Sequence, residues 1–228
     1  MIDASQHQEE FPPDSLTTLR HGHSVSDEKF DRIFSGNSRS LSSRHWTPMN
    51  VALWAAKLLG TGPDVRVLDV GCGPGKFCFI GEATTSASYF GIEQRLHFVE
   101  EAERIRLAHN ISRANFIHGN MIDLDWRDFH AFYLFNPFLE NVTGLARIDQ
   151  TVALSLEHYN TYVDCVVEKL RAMPLGTRVV TYHGFGGAMP EGYILRQKKP
   201  IGTAYLDLWV KEDSVLHEPL QKILDRFE

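Results

Sequence analysis

The spacing of apolar side chains along this chain changes from one segment to the next. Across "HWTPMNVALWAAKLLG", residues 45–60, Val51, Trp54, Ala55, Leu58 and Leu59 recur at three- and four-residue intervals, the stripe of a one-sided helix. Thr47 suits its N-cap, Pro48 its first turn and Gly60 its end. From Val65 short apolar runs take over: 65–70, 89–93, 115–118, 131–135 and 178–182 each predict a strand. Between them the helical spacing returns. One helix starts just past Gly75, and a second carries Phe98, Val99, Ala102 and Ile105. A third, longer one carries Val152, Leu156, Tyr159, Val163, Val166 and Leu170. Two further runs, "GYILRQ" and "TAYLDLWV", flank "KKPIG" and predict a hairpin. The alternation predicts an α/β fold: a doubly wound, mostly parallel seven-stranded sheet, covered on both faces, with an antiparallel hairpin at one edge.

The more polar stretches divide the chain into three parts. Residues 1–25 open with "MIDASQHQEEFPPD", acidic and polar where a secretory signal would be basic and then apolar, and predict a flexible tail. Residues 26–60 form an N-terminal helical segment, a helix and then a loop through "SGNSRSLSSR" before the helix of 45–60. Residues 61–228 make the α/β domain. No apolar run approaches the roughly 20 residues of a membrane helix. The three cysteines, Cys72, Cys78 and Cys165, have neither disulfide-framework nor zinc-site spacing, which points to a reducing, cytoplasmic setting. The sequons at Asn110 and Asn141 then carry no weight. A net charge of −6 argues against broad nucleic-acid binding through many phosphate contacts. His21 and His23 are an H-x-H pair without further ligands, so no metal is expected.

Chemistry concentrates at "VRVLDVGCGPG". Gly71, Gly73 and Gly75 lie between a strand and a helix, where the backbone turns tightly and approaches a ligand closely. The helix start then offers free N–H groups. A phosphate loop of the Walker type is excluded, since "GCGPGKF" lacks both the four-residue gap and the Lys-Ser/Thr pair. The G-x-G-x-G spacing also departs from the dinucleotide G-x-G-x-x-G. Glu93 closes the second strand, where an acidic side chain accepts the hydroxyls of a ribose. Glycine turn and carboxylate together indicate a nucleoside.

The series "VLDVGCGPG", "YFGIEQ", "FIHGNMID" and "YLFNPF" resembles the class I S-adenosylmethionine-dependent methyltransferases in motif order and in the elements that carry each motif. The resemblance runs from about His45 to Val210. It implies S-adenosyl-L-methionine as cofactor, with Asp69, Gly71, Cys72, Gly73 and Gly75 along its methionine half. Glu93 would hold the ribose, Gln94 would lie beside the adenine, and Asn120 and Met121 would flank the ring. Asn120 stands where that family often has an acidic residue. "HWTPMNVA" is similar to the segment that packs over the cofactor in amino-directed nucleic-acid methyltransferases. Thr47 would then touch the cofactor, cap its helix, or do both, while Trp46 suits the core.

"FNPF" looks like a shortened Asn-Pro-Pro-aromatic motif of amine methyltransferases. By that likeness Asn136 and Pro137 would orient the accepting nitrogen and Phe138 would wall the substrate; otherwise Asn136 caps a turn and Phe138 fills the core. Residues 139–148 are placed to form a lid or substrate loop. His183, beyond the fifth strand, has either a pocket or a structural role. The expected activity is methyl transfer to an amine of a nucleic acid, protein or small molecule. A non-catalytic cofactor-binding partner subunit and an NAD-type oxidoreductase are the alternatives.

Overall fold

The computed structural model describes residues 14–142 and 147–213. Seven strands, β1 (Arg66–Val70), β2 (Ser88–Glu93), β3 (Ala114–His118), β4 (Ala131–Leu134), β5 (Arg178–Tyr182), β6 (Tyr193–Ile201) and β7 (Ala204–Lys211), form one sheet in the order β3-β2-β1-β4-β5-β7-β6. Strands β1 to β5 pair in parallel, while β7 runs antiparallel to both β5 and β6. The predicted doubly wound sheet with its edge hairpin is the observed one.

Successive strand residues enter opposite cores because side chains alternate across a sheet. Val67, Tyr133 and Val180 join one cluster, with Leu16 of α1 (Ser15–Arg20), Ala55 of α4 (Met49–Leu59) and Phe77 of α5 (Lys76–Thr84). Ala102 of α6 (Leu96–Ala108) lies in the same cluster. Leu68, Phe132 and Val179 join the other, with Tyr162, Val166 and Leu170 of α7 (Leu156–Ala172). Burial on both faces explains why these strands read as continuous apolar runs. After β3 the chain crosses to the far side of β1. The β1–β4 boundary is therefore a topological switch point, with a crevice beyond the strand carboxyl ends.

Several expectations need correction. The part of 1–25 that is described is not a flexible tail: Ser15–Arg20 is helical, with Leu16 and Leu19 buried in the core and Val25 beside them. Residues 1–13 lie outside the described part. The "SGNSRSLSSR" stretch is not a loop. It forms α3 (Gly36–His45), which follows α2 (Asp27–Phe30). Its serines read as loop-forming because a helix interior normally leaves their hydroxyls competing for backbone. Here Ser38 donates to buried Glu101, and Ser42 donates to Asp31 at 2.5 Å. Val152 precedes α7, and Leu156 is exposed. In the hairpin, "KKPI" belongs to β6 and the turn falls at Gly202 and Thr203. Pro200 is tolerated because β6 is an edge strand.

Candidate active site

A cavity of about 370 Å³ opens at the switch point. Its lining comes from the ends of β1 (Val70, Gly71) and β2 (Ile92, Glu93, Gln94, Arg95), the turns after β3 (Gly119, Met121) and β4 (Phe135 to Asn141), and the end of α3 (Arg44, His45, Trp46). Ile148, Val152, Leu154 and Tyr162 close the remaining side. A small adjoining cavity shares Gly71, His45, Trp46 and Phe135 with it, and adds Thr47, Asp69 and Cys72.

The glycine turn answers three separate demands. All three glycines have positive φ, +75° at Gly71, +54° at Gly73 and +87° at Gly75, a region costly for any residue with a Cβ. Only Gly71 faces the main cavity, and a Cβ there would lie 3.2 Å from Pro137. At Gly73 a Cβ would meet Trp46 at 2.6 Å, and at Gly75 it would meet Phe116 at 2.4 Å. Cys72 is buried, and its sulfur fills the space above Gly91 of β2.

Glu93 is 7% exposed, and each carboxylate oxygen takes one backbone N–H. Gly73 donates to Oε2 at 3.1 Å and Arg95 to Oε1 at 2.9 Å. A carboxylate offers about four lone-pair sites, so each oxygen keeps one acceptor position free of these backbone donors, and Glu93 lines the cavity. That spare pair matches the two hydroxyls of a ribose. Burial pushes the Glu93 acid upward, while the Arg95 N–H, the Arg95 charge and the Gly73 N–H pull against it. Among the described residues Asp69 has no strong donor; its one side-chain partner there is the Cys78 thiol, donating at 3.9 Å. Burial, and then the nearby Glu93 charge, push Asp69 up to about 8. A cation arriving beside it would restore its charge, which fits an amino-acid ammonium in the adjoining cavity. The residues present thus fit both ends of S-adenosylmethionine.

Gln94 and Met121 line the cavity, and the Gln94 Oε1 accepts from the Tyr162 hydroxyl at 3.4 Å. Asn120 is not among the lining residues. Its side-chain oxygen accepts the Ile122 N–H at 3.1 Å, and its amide donates to the Tyr162 hydroxyl at 3.3 Å. Thr47 does not cap α4. Pro48 holds that position, and the Thr47 hydroxyl lies 3.2 Å from the Tyr133 hydroxyl in the adjoining cavity. Trp46 is buried, donates to the Ser38 carbonyl at 2.8 Å and faces the main cavity.

Asn136, Pro137 and Phe138 all line the cavity. Asn136 has φ +43°, fixed by its N–H bond to the Gly184 carbonyl at 2.9 Å, and its side-chain amide makes no hydrogen bond among the described residues. Phe138 is buried and stacks on Tyr162 with centroids 5.2 Å apart. His183 is exposed and lies outside the cavity lining, against Phe135 and Tyr182. Within the expected lid of 139–148, residues 143–146 lie outside the described part. Among the described residues no three ligating side chains gather as a metal site, and no helix is long and apolar enough to cross a membrane.

Sequence reasoning missed Arg44, His45, Arg95 and Tyr162. Arg95 had one signal, a cation two positions beyond the strand-end carboxylate. Tyr162 falls on the buried face of α7, a step round from the stripe read through Tyr159 and Val163.

The arrangement is that of a class I methyltransferase fold: parallel strands, a glycine turn after β1 and a ribose-type carboxylate after β2. Residues 62–148 match a family described as a methyltransferase domain. Solved structures share the fold. An RNA methyltransferase from Salinibacter ruber, in complex with S-adenosyl-L-homocysteine, is 16% identical with a TM-score of 0.52, over 74% of this chain and 94% of that one. TrmN from Thermus thermophilus is 18% identical with a TM-score of 0.56, over 76% and 52%. The mitomycin 7-O-methyltransferase MmcR is 13% identical with a TM-score of 0.54, over 86% and 60%. No curated protein matches the sequence. The family match spans less than half of the chain, and the solved structures show that it shares the class I methyltransferase fold.

Proposed function

We propose that the chain methylates a nitrogen of an amine-bearing acceptor, presented by Asn136, Pro137 and Phe138. The carrying observation is the Asn136 amide: without a partner among the described residues, on left-handed backbone, and lining the cavity at the end of β4. A non-glycine residue in that conformation costs roughly 1–3 kcal/mol and points to a positional demand. Its Oδ1 and the Pro137 carbonyl are two acceptors suited to the N–H bonds of an incoming amine, which aims the nitrogen lone pair away from them. Pro137 lies against Gly71, so this corner adjoins the glycine turn. Phe138, held by its stack on Tyr162, supplies a flat wall for a planar or apolar acceptor. The cofactor, when bound, supplies an activated methyl on a sulfonium. The protein's work is then alignment, which alone lowers barriers greatly. An exocyclic base amine is neutral at pH 7 and needs such acceptors rather than a strong base, whereas an alkylamine must first lose a proton.

The test is methyl-label transfer from the cofactor to cell extract separated into RNA, DNA, protein and small molecules. Asn136→Gly removes the amide while keeping the left-handed backbone without strain. We expect N-methyl product, reduced on the order of a hundredfold in the variant, by analogy with loss of one aligned active-site polar group. Transfer undiminished in Asn136→Gly, or label found only on oxygen or carbon, refutes the assignment.

A further inference from the structure

We propose that Arg95 is a positioning residue, whose guanidinium keeps Glu93 in place as the ribose acceptor and ties Glu140 and Asp149 to the same corner of the cavity. This rests on the assignment of the cavity to S-adenosylmethionine. Arg95 occupies the N-cap of α6, and no side chain caps that helix. A cation there opposes the helix dipole, and a short polar residue is the usual occupant. Arg95 is nevertheless buried, with only 6% of its side chain exposed, so its charge needs close partners.

The partners come from three elements. Arg95 Nη2 donates to Glu140 after β4 at 2.8 Å, and Nε to Asp149 before α7 at 3.1 Å. Nη1 lies 3.9 Å from Glu93 at the end of β2. The backbone N–H of the same residue donates to Glu93 Oε1, so any shift of Arg95 shifts the acceptor. Glu140 also accepts the Ile148 N–H at 2.9 Å. A stitch between Glu140 and Asp149 alone would not require this third contact.

Three carboxylates share one guanidinium. Among the described residues, the other charged or titratable groups nearby include His97 of α6, 3.7 Å from Asp149, Arg147, whose Nε donates to the Asp149 carbonyl at 2.7 Å, Arg44 and His45 at the end of α3, Asp69 of β1 and Cys72 of the glycine turn. Burial raises the Glu93 acid, the Arg95 charge lowers it and the Glu140 charge raises it. Arg95→Met removes the attraction and leaves the repulsion, so Glu93 holds its proton to higher pH. A protonated carboxyl is a poorer acceptor for a diol. Glu140→Gln acts in the opposite direction: it removes a repulsive charge and leaves Arg95 to Glu93.

The experiment is calorimetric titration of S-adenosylhomocysteine into the full chain between about pH 6 and 9. It compares wild type, Arg95→Met, Arg95→Lys and Glu140→Gln, with melting temperatures alongside. Arg95→Met is expected to bind about tenfold or more weakly at neutral pH and to recover toward alkaline pH, as loss of a charged contact predicts. Arg95→Lys should keep the wild-type pH midpoint, and Glu140→Gln should move it down. Weakening of Arg95→Met by one factor at every pH, or none at all, overturns the proposal. If Arg95→Met does not fold, an unmoved midpoint in Glu140→Gln overturns it. Wild type that fails to bind overturns the cofactor assignment and this role together; binding with identical profiles in every variant overturns only the role of Arg95.

Discussion

Replacing Glu93 by glutamine separates ligand recognition from folding, because the local hydrogen bonds constrain the outcome. Both carboxylate oxygens accept backbone donors, from Gly73 at 3.1 Å and from Arg95 at 2.9 Å. An amide has one oxygen and one NH₂, so in either orientation the NH₂ confronts one of those N–H groups. One buried donor left unsatisfied costs about 1–3 kcal/mol. Opposing this, the variant no longer buries a carboxylate whose charged form burial disfavours. The net stability change should therefore be small, about 1 kcal/mol in either direction. The ligand has no such compensation. It loses one acceptor outright, and the one that remains is uncharged; a hydrogen bond to a charged group is worth about 1.5–3 kcal/mol. That converts to a Kd weakened about ten- to a hundredfold. Calorimetric titration of S-adenosylhomocysteine, paired with a thermal melt, measures both quantities. An affinity within about twofold of wild type, in a variant that melts normally, would remove Glu93 from the ribose site.

Two further outcomes follow from the same geometry. Gly75→Ala should lower stability by about 2–5 kcal/mol, since it adds left-handed strain to a Cβ 2.4 Å from Phe116. Gly176→Ala, with φ +86° and nothing within 4 Å, should cost only the strain of about 1–2 kcal/mol, and equal losses in denaturant melts would contradict the contact argument. Asp69 titrates near 8 in the folded chain against an ordinary value of 3.8, so the folded state binds the extra proton. Its contribution to stability is fully present below about pH 4, declines as pH rises and is gone above about pH 8. Asp69→Asn should therefore stabilise the ligand-free protein on the alkaline side, by an amount on the order of a few kcal/mol, and a wild-type-minus-variant difference that is flat between about pH 4 and pH 8 would refute it.

The sheet was legible because burial on both faces leaves an unambiguous mark: five short apolar runs separated by helical spacing. Glu93 and Gly71 were legible because a strand end followed by a turn is a fixed position relative to the crevice. What escaped depended on partners distant in sequence. Helix α3 looked like a loop because nothing local reveals that Ser38 and Ser42 meet Glu101 and Asp31. Thr47 read as a cap, but Tyr133, 86 positions away, takes its hydroxyl. Lys76 belongs to the same class. It sits buried at the start of α5, 2.6 Å from Asp27 and 2.7 Å from Asp31, and ties the N-terminal segment to the glycine turn. Arg95 looked like one surface charge among many, because its three carboxylates lie on separate elements.

The walls of the cavity differ in origin, and that difference bears on where acceptor specificity resides. Gly71, Glu93, Gln94 and Met121 belong to the strand–turn–helix framework and fall inside the matched segment 62–148. Arg44, His45, Trp46, Val152, Leu154 and Tyr162 line the same cavity but fall outside that segment. Under the proposed function the framework residues would meet the cofactor, whereas these other residues belong to segments free to differ between proteins of one fold. This second group holds one arginine, one histidine held toward its neutral form by burial, and the aromatic rings of Trp46 and of Tyr162, the latter stacked on Phe138 of the matched segment.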